Sequence, residues 1–94
     1  MQANFLQPTF DQTAEQKTEE IYHRFGSSVR TIRRTYNLTQ ADLAERAGMN
    51  KTYLVRIEAG DNNVTLKTAQ RIACALDVDL LTLLKGVHVT LKGM

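Results

Sequence analysis

Lys51, Thr52, Val55 and Arg56 follow one another at spacings of one, three and one residues, in a stretch that also holds Leu54 and Ile57. Wound as an α-helix from Asn50, they fall at about 100°, 200°, 140° and 240°, whereas Leu54 and Ile57 fall near 40° and 340°. The four therefore make a face opposite the apolar pair. Such a face suits an α-helix laid in the major groove of DNA, where side chains meet base edges. Arg56 has the fork to bind guanine O6 and N7 together, Thr52 can hydrogen-bond a base, and Lys51 can take guanine or a phosphate. Val55 is the odd member, exposed and apolar on a polar face. It suits contact with a thymine methyl, although single exposed valines are also common.

Other chemistries find less support. One Cys excludes an internal disulfide framework, and with two His it leaves no four-ligand zinc site of the usual kind. No nucleophile–base or paired-carboxylate spacing is recognisable, so an enzyme is not expected. The apolar runs fall far short of the ~20 residues needed to cross a bilayer, and no secretory signal is visible. The expectation is a cytoplasmic domain without cofactor, metal, membrane or small-molecule partner. Its 94 residues amount to one domain. The formal net charge of +2 is unevenly spread: residues 1–24 carry −2, residues 25–60 carry +3 and residues 61–94 carry +1. The positive centre fits a phosphate-bearing partner, though many solvated helices are modestly basic.

The candidate face needs elements to hold it. Thr39-Gln-Ala-Asp42 is a capping-box pattern opening a short helix to Ala47, and Asn50 can cap the next helix through Ala59. Between them Gly48-Met49-Asn50 is too tight for antiparallel packing and suits a steep crossing. Ala44 supplies the small residue at the approach, and Leu43, Ala47, Met49, Leu54 and Ile57 supply the inward side. This is the spacing of a DNA-binding helix-turn-helix; an ordinary helical hairpin is the alternative.

Upstream, Met1–Gln12 show no period and read as a flexible arm. Thr13-Ala-Glu-Gln16 looks like a capping box, predicting a helix start there. Ile21, Phe25, Val29, Ile32 and Tyr36 then fall within about 80° of one another on a helix. Gly26 predicts an interruption near Gly26-Ser27-Ser28, at a propensity cost of ~1 kcal/mol, and Asn37 ends the helix. Downstream, Gly60-Asp-Asn-Asn63 is a loop, and Thr65 caps a helix with Leu66, Ala69, Ile72, Ala73 and Leu76 on one face. Asp79 opens a short helix with Leu80, Leu83 and Leu84. After Gly86, Val87, Val89 and Leu91 alternate with polar residues, the period of a strand.

Phe25-Gly26, Val29-Arg30, Ile32-Arg33, Leu38 to Ala44, Ala47-Gly48 and Arg56 to Gly60 resemble the Cro and lambda-repressor type helix-turn-helix regulators, over about Phe25 to Leu84. Lys51-Thr52-Tyr53-Leu54, Ile57-Glu58 and Asn63 to Leu66 are similar to the controller proteins of restriction–modification systems. The resemblance implies a five-helix all-α, lambda-repressor-like domain acting as a dimer to repress or activate a nearby promoter. Outside the resemblance, the chain's own pattern adds a flexible or helical N-terminal extension and room for a short C-terminal strand. In domain terms, residues 1–24 are the arm and the start of the first helix, 25–85 the DNA-binding domain and 86–94 the tail.

Carried over by position, the resemblance makes Thr39 and Gln40 phosphate contacts at a helix N-terminus, and Lys51, Thr52, Val55 and Arg56 the base readers. Tyr53 matches a residue that touches the DNA backbone in controller-like relatives; a side chain half-packed on the preceding helix is the alternative. Arg33 and Glu58 match a buried structural ion pair. The loop departs from the pattern, since Asp61 stands where Lys or Arg is usual. Phosphate contacts there would rest on Asn62, Asn63 or Lys67. Cys74 replaces a usual polar residue, and His23 and His88 read as solvated.

The leading expectation is thus a homodimeric repressor on double-stranded DNA, reading a two-fold symmetric operator. A restriction–modification controller or a helix-turn-helix antitoxin is the alternative within the class. A protein-interaction module without DNA is the alternative outside it, disfavoured by the Lys, Thr, Val and Arg face. The dimer seam is expected at Leu80, Leu81 and Leu84 with Val87, Val89 and Leu91.

Overall fold

The computed structural model describes residues 2–61 and 63–85, with side chains from residue 14 onward. The described residues are helical and hold no strand. Helix α1 spans Gln2–Thr35, α2 Gln40–Ala47, α3 Lys51–Ala59 and α4 Leu66–Ala75. A short α5 covers residues 80–85. No described helix is long and apolar enough to cross a membrane.

Local chemistry sets the boundaries of the middle helices. The Thr39 hydroxyl accepts the Asp42 N–H and the Asp42 carboxylate accepts the Thr39 N–H, both at 3.0 Å, a complete capping box. Gly48 closes α2 at φ 67°, where its N–H reaches back to the carbonyls of that helix. A residue with a Cβ is strained there. Asn50 then starts α3, its side-chain oxygen accepting the Thr52 N–H at 2.7 Å. The Thr65 hydroxyl does the same for α4, accepting the Thr68 N–H at 3.1 Å. Asn37 ends the first helical segment in the left-handed region, and the Leu38 N–H returns to the Arg33 carbonyl, a Schellman-type closure.

The core draws on all five helices, with α1 packed on α3 and α2 packed on α3 and α4. Val29, Leu43, Leu54, Ile57, Ile72, Leu76 and Leu83 are fully buried. Each such side chain contributes roughly 1.5–3 kcal/mol on burial. Phe25, Ala44, Ala69 and Ala73 complete the cluster, with Ile32, Leu38, Met49, Tyr53 and Leu80 partly buried against it. The Ser28 hydroxyl donates to the Leu83 carbonyl at 3.1 Å, tying α1 to α5.

Three expectations about the helices need correction. First, α1 does not begin at the Thr13 capping box but runs through it from Gln2, so the arm is helical in backbone. Propensity does not account for this, since Pro8 and several weak helix formers lie in the stretch, but extending an existing helix costs far less than starting one. Second, Gly26 does not interrupt α1. A Cβ there would lie 2.7 Å from the Glu58 carbonyl oxygen and closer still to that of Ile57. The glycine is where α1 and α3 touch backbone to backbone. Third, the apolar stripes outrun the core: Ile21, Tyr36 and Leu66 are exposed. Tyr36 lies just past the end of α1 and Leu66 opens α4, whereas Ile21 lies within α1, one turn before the buried Phe25. The alternation at Val87, Val89 and Leu91 lies outside the described residues.

Candidate nucleic-acid interface

Helix α3 presents two unlike faces. Leu54 and Ile57 are sealed in the core, whereas Lys51, Thr52, Val55 and Arg56 are all exposed. Val55 is 37 % exposed, so its branched end is open to a partner. Tyr53 is half-buried, its ring packed against the core cluster. The face is rigidly aimed: Gly48 fixes the turn, the Asn50 cap fixes the first turn of α3, and the core grips the reverse side.

At the start of α2 the Thr39 box consumes the Asp42 N–H, and the Thr39 carbonyl takes the Leu43 N–H. The backbone N–H groups of Gln40 and Ala41 remain the orphan donors of a helix N-terminus. This end carries the positive pole of the helix dipole and favours an anion. The Thr39 hydrogen bond holds the exposed Asp42 carboxyl below its ordinary range. Asn63 and Lys67 are exposed beyond α3, and Asn62 lies outside the described residues.

Behind this surface, Arg33 and Glu58 meet in a buried bidentate pair. Arg33 Nε donates to Glu58 Oε2 at 2.7 Å and Nη2 to Oε1 at 3.0 Å. Arg33 Nη1 also donates to the Leu38 carbonyl at 2.7 Å, bracing the α1–α2 turn. The hydrogen bond to Glu58 raises the Arg33 pKa further above its already high ordinary value. Gln40 joins from α2, Nε2 donating to Glu58 Oε1 at 3.0 Å. One carboxylate therefore links α1, α2 and α3.

Two features of this assembly escaped the sequence reading. Arg30 also reaches Glu58, with Nη2 donating to its carbonyl at 3.3 Å and Nε 3.7 Å from Oε1. Its signal was the spacing of three from Arg33, which puts both guanidinia on one side of α1. The joining of Gln40 to Glu58 had no local signal, because it depends on how α2 crosses α3. The residues proposed for the seam divide: Leu81 and Leu84 are exposed, whereas Leu80 is half-buried on the core.

Comparison with known proteins finds the same helical fold. A helix-turn-helix family model matches residues 29–83. Control protein C.SmaI of Serratia marcescens is 37% identical over 65 residues, which cover 69% of this chain and 77% of that protein. An immunity repressor of Bacillus phage phi105 is 36% identical over 55 residues, or 58% of this chain and 38% of the repressor. Among solved structures, the restriction-modification controller protein C.AhdI from Aeromonas hydrophila superposes with a TM-score of 0.65 at 32% identity, covering 66% of this chain and 94% of that one.

Proposed function

Because the chain belongs to the helix-turn-helix family of DNA-binding transcriptional regulators, we propose that it acts as a homodimeric repressor reading a two-fold symmetric operator. The observation that carries this reading is the outward face of α3, where Lys51, Thr52, Val55 and Arg56 stand exposed opposite a sealed core. A single recognition helix reads too few base pairs for tight specificity, so two copies presenting helices about 34 Å apart are expected. Thr39, Gln40, Asn63 and Lys67 would fix the register on phosphates, with Asn62 and Tyr53 beside them. In this reading the protein works in the cytoplasm and performs no catalysis.

A second reading has its own support. Control proteins C.SmaI and C.BamHI are 37% and 39% identical to this chain, and each is covered over three quarters of its length. That similarity favours a controller role at the promoter of an adjoining restriction–modification gene pair. Footprinting on the DNA upstream of the protein's own gene tests the common part: a protected, two-fold symmetric site is expected. Transcription from that promoter with and without protein then separates repression from activation.

A further inference from the structure

Glu58 Oε1 sits at the meeting point of three donors, and only one of them is fully spent there. Arg33 satisfies its charge on both carboxylate oxygens, at 2.7 and 3.0 Å. Arg30 is the second guanidinium against a single carboxylate, and it reaches Oε1 only at 3.7 Å. Its side chain is 42% exposed, against 8% for Arg33. The Arg30 charge is therefore only partly compensated, and its side chain is open to solvent. Gln40 spends one amide hydrogen on the same oxygen, and the second remains to donate.

Sharing that oxygen places the two donors within about 7 Å of each other, a gap that one phosphate can bridge with hydrogen bonds of ~2.7–3.2 Å. The Gln40 and Ala41 backbone N–H groups open beside them at the N-terminus of α2. We propose that Arg30 and Gln40 grip one DNA backbone phosphate between them, with the Glu58 carboxylate as their shared anchor. This rests on the DNA-binding reading above and adds Arg30 to it as a phosphate contact. A buried acid beside a phosphate would ordinarily repel it, but two guanidinia to one carboxylate leave the cluster with a net positive charge. The competing role for Arg30 is structural, closing the end of α3 through the Glu58 carbonyl at 3.3 Å.

Salt dependence distinguishes the two roles. Binding of the full chain to its footprinted operator and to a random duplex is measured by fluorescence anisotropy between about 50 and 200 mM salt. If Arg30 neutralises a phosphate, Arg30→Gln lowers the steepness of log K against log salt by roughly 0.9 per bound copy, about 1.8 for the dimer, on both duplexes. Lys17→Gln, also on α1 but about 20 Å along the helix, leaves the slope alone. Gln40→Ala weakens binding, and weakens it by a smaller factor once Arg30→Gln is present, since both serve one phosphate. An Arg30→Gln slope equal to wild type, even with a lowered melting temperature, would leave Arg30 a structural residue and overturn the clamp. An equal loss of slope in Lys17→Gln would overturn it too, as the effect would then be general charge. Failure of the wild-type chain to bind either duplex would instead strike the DNA-binding reading on which the clamp depends.

Discussion

Gly26 of α1 lies so close to Glu58 of α3 that a Cβ on the glycine would stand 2.7 Å from the Glu58 carbonyl oxygen. Nothing flexible can yield there, because the opposing atoms are backbone. The close approach also places Arg30 and Arg33, one and two turns further along α1, beside the Glu58 side chain. A residue that looks like a helix breaker in isolation is thus the one that lets the first and third helices share an ion pair.

Gly26→Ala is accordingly expected to destabilise the fold. The substitution gains ~1 kcal/mol of helix propensity, but pushing two backbones apart costs more, with overpacking typically ~1–3 kcal/mol and higher where no side chain can move. A lowered midpoint in thermal or urea unfolding is the expected result. A variant at least as stable as wild type would show that α1 and α3 do not touch at this position.

The buried pair is separable from that contact. Glu58→Gln leaves Arg33 buried with its charge uncompensated, and losses of ~3–5 kcal/mol follow when one partner of such a pair is removed. Replacing Arg33 and Glu58 together by apolar residues should cost less than the two single losses combined. Strictly additive losses in the double-mutant cycle would contradict the 2.7 Å contact.

The α2 cap predicts a pH effect of known sign. Asp42 is held below its ordinary carboxyl range chiefly by the Thr39 N–H. A group with a depressed folded value stabilises the protein above its unfolded value, and that contribution is lost as pH falls through the folded one. Carbon-detected NMR titration should place the Asp42 midpoint below that of a free aspartate. In Asp42→Asn the same acid-range decline in α2 stability should shrink. An Asp42 midpoint at or above the free value would rule out the reciprocal cap.

How far the sequence disclosed this molecule depends on the range of each interaction. The α2 and α3 boundaries rest on Thr39, Gly48 and Asn50, whose partners lie within a few residues, and such signals can be read directly. The outward set on α3 follows from helical geometry alone, since Leu54 and Ile57 fix which side is buried. The Gly26 approach and the Gln40–Glu58 bond depend on how distant helices cross, and composition carries no trace of that; for Arg30 the spacing from Arg33 gives the side of α1 but not the partner. Leu66 and Ile21 show the converse: periodicity marks a stripe but not where the partner helix stops.

On the DNA side, Arg56→Ala should cost ~1–3 kcal/mol on the operator, relax selection at one base pair and leave random DNA nearly unaffected. Gln40→Ala should weaken both duplexes more evenly, because a phosphate carries no sequence information. Equal losses on both duplexes for a folded Arg56→Ala would remove it from base reading.

The proposed dimer makes the last prediction. Lys51, Thr52, Val55 and Arg56 are set aside for DNA and the reverse of α3 for the core, so the seam must lie elsewhere. Leu81 is 70% exposed and Leu84 39% exposed on α5, next to the buried Leu83. Two large apolar side chains on one short helix, anchored to α1 through the Ser28–Leu83 hydrogen bond, form a rigid patch that a second copy can cover. Replacing both with Glu would place like charges across a two-fold seam, while leaving the core untouched. The double variant should sediment as a monomer, keep its helical content, and bind the operator far more weakly than the wild-type dimer. A chain ending at Lys85 assigns the remaining share to Val87, Val89 and Leu91: a monomer there would place the tail in the seam, and an unchanged dimer would leave α5 to hold it. If the Leu81/Leu84 variant and the shortened chain both stay dimeric, the two copies meet on another surface.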